Sequence, residues 1–138
     1  MKAPLLDANV VVRFFVERRD DPSAEFRGVF SFFEKVTAGQ VLVEMPDIVL
    51  LEIFYVLTRI YGEPGHEVAE SLLVFLSFDG IVMADKDLAS ECLKLLQKHK
   101  IGFADAYLLA LSKKRNLHEI YSYDADLKRR GLRLLKIE

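Results

Sequence analysis

Asp7, Glu52, Asp105 and Asp124 are the residues whose type and setting point to chemistry, because each interrupts or ends an apolar stretch. Asp7 closes the run Pro4-Leu5-Leu6 and stands just ahead of Val10-Val11-Val12. Glu52 sits inside Ile48-Val49-Leu50-Leu51 and Ile53-Phe54-Tyr55-Val56-Leu57, a segment apolar almost all round. Asp105 lies between Phe103-Ala104 and Ala106-Tyr107-Leu108-Leu109-Ala110, and Asp124 follows Tyr121-Ser122-Tyr123, with Asp126 two residues on. A carboxylate in apolar surroundings is costly unless it meets a cation, a donor or a second carboxylate that shares its proton. Acids from four separated segments can converge at one rim, where they repel unless something positive sits among them. Hard oxygen ligands without His or Cys suit Mg²⁺ or Mn²⁺ rather than zinc. Two such ions about 3.5–4 Å apart activate a water and stabilise the leaving oxygen in phosphodiester cleavage.

Each acid also has a plainer explanation. Asp7 and Asp124 are good helix caps, and Asp105 in a first helical turn is favoured by the helix dipole. Glu52 and Arg59 are two helical turns apart, a long spacing for direct contact. Competing chemistries lack their parts: the chain has no Gly-rich phosphate loop, no Gly-x-Gly-x-x-Gly and no Gly-x-Ser-x-Gly. His66, His99 and His118 form no pair at metal-ligating spacing, and Cys92 reads as a small core residue. An aspartate-nucleophile phosphatase wants a second Asp two residues after the first, where this chain has Asn9.

The elements that must position these acids read as short apolar strands separated by helices. Pro4–Leu6 is a strand ending at Asp7, followed by an apolar helix through Val16. Asp20-Asp21-Pro22-Ser23 is a loop, and Pro22 opens a helix that Gly39 stops. Residues 41–45 form a strand, then Pro46 and Asp47 start a helix to about Tyr61, ended by Gly62. A helix over 66–78, a strand over 81–84 and a helix over 86–98 capped by Asp85 follow. Gly102-Phe103 opens a helix to Arg115, residues 119–123 make a fourth strand, a short basic helix runs to Gly131, and 132–137 is a closing strand. Strands alternating with helices predict an α/β fold, a three-layer α/β/α sandwich around a central, mainly parallel sheet of about five strands. An Asp at the carboxyl end of such a strand stands where open α/β sheets place their ligands.

The 138 residues, 51% hydrophobic and 29% charged, predict a single folded domain over 1–138. No apolar run is long enough to cross a bilayer, Met1-Lys2-Ala3-Pro4 lacks a signal-peptide core, and Cys92 is the only cysteine. Cytoplasm is the default location. The net charge of −2 hides a polarity: residues 1–92 carry 8 Lys+Arg against 16 Asp+Glu, residues 93–138 carry 11 against 5. The basic end includes Lys113-Lys114-Arg115 and Lys128-Arg129-Arg130, which read either as a nucleic-acid face or as solvated charges complementing helix C-termini.

Taken together, four segments carry a resemblance. They are Leu5-Leu6-Asp7-Ala8-Asn9-Val10, the stretch from Pro46 through Glu52 to Leu57, Phe103-Ala104-Asp105-Ala106-Tyr107-Leu108-Leu109-Ala110, and Ser122-Tyr123-Asp124-Ala125-Asp126-Leu127. In this order the chain resembles a PIN domain and, within that family, the single-domain VapC-type toxins. The resemblance implies a Mg²⁺- or Mn²⁺-dependent endoribonuclease with its site at the carboxyl edge of the sheet. Asp7, Glu52 and Asp105 match the family's acidic ligands. Asp124 matches a more variable fourth acid for which Asp126 can substitute, and Ser122 and Asn9 match supporting polar positions. It further implies an RNA substrate, a small antitoxin partner and a homodimer, with the Phe-rich segments at Phe14-Phe15 and Phe30–Phe33 as a partner surface if they are not core. The other readings are a PIN-type RNA-processing nuclease without an antitoxin, a nuclease acting on DNA, and a non-catalytic RNA- or protein-binding module.

Overall fold

The computed structural model describes residues 2–138, and the chain is mixed α/β with helix predominating. Helix α1 spans Ala8–Val16, and a 3₁₀ turn at Ala24–Phe26 leads into α2, Val29–Thr37. The helix expected from Pro22 is thus broken around Gly28, which precedes α2 directly. Strand β1 is Val43–Glu44, α3 is Asp47–Tyr55, and α4 is Gly65–Leu76. Strand β2 is Ile81–Val82, followed by α5, Lys86–Lys98, and α6, Phe103–Arg115. Strand β3 (Glu119–Ile120), helix α7 (Ala125–Arg129) and strand β4 (Arg133–Leu134) complete the chain.

The helix expected through Tyr61 ends its regular part at Tyr55 and continues as a π-helical turn over Val56–Ile60, where the Tyr61 amide donates to the Val56 carbonyl at 3.2 Å. The Thr58 hydroxyl donates to the Phe54 carbonyl at 2.7 Å, the side-chain back-bonding that loosens a helical ladder. Gly39 and Gly62, expected to stop helices, take positive φ angles of 75° and 70°. Asp85 caps α5 as expected, its carboxylate accepting from the Leu88 amide at 2.9 Å.

The strands assemble into two short parallel ladders, and the expected five-stranded sheet at the centre of a sandwich is not what forms. In the first ladder β1 pairs with β2, Val43 opposite Ile81. The N-terminal segment adds a single parallel bridge, Leu5 opposite Glu44, through bonds from the Leu6 amide to the Glu44 carbonyl and from the Glu44 amide to the Pro4 carbonyl, each 2.8 Å. In the second, β3 pairs with β4, Glu119 opposite Arg133. Among the described residues nothing pairs with the outer edge of Leu5, which is 71% exposed.

The reason lies in packing. One continuous core takes Leu6, Val11, Val43, Met45 and Ile81 together with the inner faces of α1 to α6. Phe14, Phe33 and Phe75 interlock at its centre, with ring centroids 4.5 Å apart for Phe14–Phe33 and 5.5 Å for Phe33–Phe75. The phenylalanines of α1 and α2 are therefore core or packed against it rather than a partner surface. Gly80 permits the first ladder: it is buried, and a Cβ there would meet the Val41 carbonyl oxygen at 2.1 Å and that of Val36 at 2.6 Å. By contrast Leu127 and Leu132 are buried but stand outside this core. The β3–α7–β4 segment thus buries its own small apolar face, apart from the helices that cover the first ladder.

Candidate functional site

Asp7 occupies the position that strand-end chemistry requires. The Leu6 amide ties the preceding residue into the first ladder, and α1 begins at Ala8. Its backbone is extended (φ −87°, ψ 149°), as a residue entering a helix should be, yet its side chain makes no capping hydrogen bond. Asp85 and Asp124, in the same relation to α5 and α7, both do. Of these helix-entry carboxylates, Asp7 is the one left exposed without that local role.

A cavity of about 900 Å³ opens beside it, walled by Leu5, Val10, Phe26 and Phe32 and carrying Asp7, Asn9, Arg13 and Glu25 as its polar groups. Asn9 and Arg13 share a face of α1 through their i, i+4 spacing. The Arg13 guanidinium lies 4.3 Å from the Phe26 ring centroid and 3.5 Å from Glu17. Arg13 is the cavity residue that the pattern of acids overlooked, although its helical spacing from Asn9 carried the signal.

The other acids stand elsewhere. Glu52 is exposed: α3 buries Leu50 and Ile53, while Ile48, Leu51 and Tyr55 join Glu52 in solvent. No desolvation penalty therefore marks Glu52, because an apolar helix need not be a buried one. Asp105 is half-buried in the first turn of α6. Asp124 is exposed, and its Oδ1 accepts from the Asp126 amide at 2.9 Å, while the Ser122 hydroxyl oxygen accepts from the Asp124 amide at 2.9 Å. Ser122 thus holds Asp124 in its turn. The Asp126 carboxylate is engaged by Arg130 at 2.9 Å and Arg129 at 3.2 Å. The Arg130 hydrogen bond, above all, holds its carboxyl below the usual range. Of the two, Asp124 is the acid with an oxygen to spare.

Two groups have structural roles. The Tyr107 hydroxyl donates to Asp47 at 2.9 Å across α6 and α3, and burial raises its pKa first, that bond second. Burial pushes the Cys92 thiol up to about 12, which leaves it protonated and inert.

Carboxylates with no imidazole or thiolate among them are the donor type of a hard divalent cation. As placed, however, no group of three or more His, Cys, Asp or Glu side chains among the described residues is close enough to hold one ion. The donor chemistry fits such a cation and the spacing does not. Asp7 and Asn9 share a cavity from whose walls Glu52, Asp105 and Asp124 are absent.

Comparison with known proteins bears on these same residues. The family description "PIN domain" matches residues 5–132, a span that includes all four acids. No curated protein and no solved structure gave a significant match. With the match running from the strand segment before Asp7 to Leu132, at the threshold of β4, the chain belongs to the PIN-domain family.

Proposed function

We propose that this protein is an endoribonuclease that hydrolyses RNA phosphodiester bonds at the Asp7 carboxylate, as the toxin of a toxin–antitoxin pair. PIN domains are generally nucleases and typically bind divalent metal ions. The observation that carries the reading is Asp7 itself: an exposed, uncapped carboxylate at the end of a parallel strand segment, inside the family match and opening onto a cavity with Asn9 and Arg13. Arg13 offers a guanidinium for a phosphate oxygen and Asn9 an amide for orientation, while the apolar wall at Phe26 and Phe32 suits a base face.

Mg²⁺ or Mn²⁺ is the proposed cofactor, with Asp7, Glu52, Asp105 and Asp124 as its acids and Asp126 in reserve. When bound, such an ion supplies Lewis-acid stabilisation of the developing charge. Because these carboxylates are not gathered around one point, cation binding has to draw them together, and it is measurable apart from turnover. The exposed apolar residues Ile48, Leu51 and Tyr55 on α3 offer a protein partner, an antitoxin or a second copy, a surface to cover. No described helix is long and apolar enough to cross a membrane, which fits the proposed cytoplasmic setting.

The test is cleavage of end-labelled RNA in EDTA, Mg²⁺ and Mn²⁺ by the wild type, Asp7→Asn and Asp105→Asn. Cleavage should require metal and fall about a hundredfold or more in either variant, the scale of losing a group that acts on developing charge. Metal should also raise the melting temperature of the wild type and not that of Asp7→Asn. The ungathered acids favour a second reading, a non-catalytic RNA-binding module. RNA binding indifferent both to metal and to Asp7→Asn, with no cleavage, would establish it.

A further inference from the structure

Away from Asp7, the C-terminal ends of α5 and α6 face the β3–α7–β4 segment across a cavity of about 670 Å³. Its floor is apolar, from Leu95, Leu109 and Leu132, and Lys113, Arg129 and Arg130 reach its walls. His99 belongs both to this cavity and to a second of about 530 Å³, which carries Lys98 and Lys100. Gly131 and Leu132 connect the first to a third, of about 470 Å³, which carries Lys128 and Arg133. No Asp or Glu lines any of the three. The cavity at Asp7 is the opposite case, with Asp7 and Glu25 against Arg13.

We infer that these adjoining cavities form one continuous track for the phosphate backbone of a single RNA strand, separate from the acidic cavity. Three observations support a built track over scattered surface charge. First, the cations come from α5, α6, α7, β4 and the loop after α5, and the cavities they line adjoin through His99, Gly131 and Leu132. Second, helix dipoles account for Lys98, Lys113, Lys128 and Arg129 in last turns, and Glu119 pairs with Arg133 across the second ladder, but neither accounts for Lys100, which lies outside any helix. Third, the internal partners of these cations leave donors free. Arg129 and Arg130 each give Asp126 one hydrogen bond out of a five-donor guanidinium. Lys113 holds Glu91 at a loose 3.7 Å and is largely exposed, a pair that a phosphate can displace. Lys98, Lys100 and Lys128 make no ion pair among the described residues. Apolar floors beside cations suit a strand whose bases and phosphates alternate.

The inference rests on the RNA reading above for the identity of the polyanion, and its test separates the two. A fluorescent, non-cleavable 2′-O-methyl RNA 12-mer is titrated by anisotropy from low to high salt against the full chain, the control Lys35→Glu, and the double variant Lys98→Glu with Lys100→Glu. Melting temperatures confirm that each variant is folded, and Lys98→Gln with Lys100→Gln replaces the double variant if it is not. The expected result is at least tenfold weaker binding in the double variant. Its slope of log affinity against log salt should be shallower by about 1.4 for two lost phosphate contacts. Lys35→Glu, an exposed cation on α2 outside these cavities, should bind within twofold of the wild type. Unchanged affinity and slope in the folded double variant overturn the track, whether or not RNA is cleaved at Asp7. Weakened binding in a protein that cleaves nothing supports the track and removes the nuclease. Binding to vesicles containing anionic lipid, with none to the RNA, also overturns it.

Discussion

The two parallel ladders are built from similar sequence and come to different ends. Val43 and Ile81 sit in the first ladder at 4% and 2% exposure, with Met45 fully buried behind them. Glu119–Ile120 and Arg133–Leu134 in the second are exposed or half-buried, and Tyr121 and Tyr123 just beyond are open to solvent. Both pairs have the same hydrogen-bond pattern, so the difference is not in the backbone. It is that the first ladder is covered by helices contributing Val11, Phe33, Leu72 and Leu93 to one core, while the second has Leu127 and Leu132. Parallel pairing gains its stability from cover on both faces, and since both ladders pair over two residues, cover here decides how deeply a ladder is buried and not how long it runs.

The largest effect should come from the first region. Phe33→Ala removes a fully buried ring that packs against Phe14, Phe32 and Phe75. It should cost about 3–5 kcal/mol in urea unfolding. A loss under about 1 kcal/mol would mean that the aromatic cluster is not the centre of the fold.

The contrast sharpens in the second region. Leu132→Ala should cost about 2 kcal/mol, near the low end for a buried leucine, and the loss should be local. In hydrogen exchange, the amides of Arg133 and Leu135, which bond to His118 and Ile120, should speed up while Val43 and Met45 hold their rates. Equal acceleration in both ladders would show that the regions open as one unit and would erase the distinction.

The smallest effect concerns acid. Arg130 lowers the Asp126 pKa in the folded chain below its ordinary 3.8, so the folded state binds a proton less readily than the unfolded. The stabilisation is therefore present above about 3.8 and lost as pH falls through the lowered value. Exchange in the β3–α7–β4 segment should quicken in that window, and Asp126→Asn should remove the step. An acid step confined to the first ladder would assign it to another carboxylate.

Helices were the legible part of the fold. The span of α5 with its Asp85 cap, and of α6 from Phe103 to Arg115, follow from helical periodicity and capping chemistry, which are local. The strands were legible in place and order but not in extent. Glu119-Ile120-Tyr121-Ser122-Tyr123 has the composition of a five-residue strand and pairs over two, because pairing needs a partner edge that local sequence does not specify. The place of Asp7 between a strand segment and a helix was readable from the sequence. The apolar stretch around Glu52 does not give it apolar surroundings, since its neighbours Ile48, Leu51 and Tyr55 are themselves exposed.

By itself, the sequence determined where α1, α4, α5 and α6 fall, where the acids stand along the chain, and that positive charge collects after residue 92. These follow from side-chain type and near-neighbour spacing. Tertiary structure alone decided which acid stays uncapped, that Arg13 joins Asp7 and Asn9 in one cavity, and that cations from distant segments meet around His99. Those outcomes depend on which apolar faces find a common core, a competition settled by contacts between residues far apart in the chain.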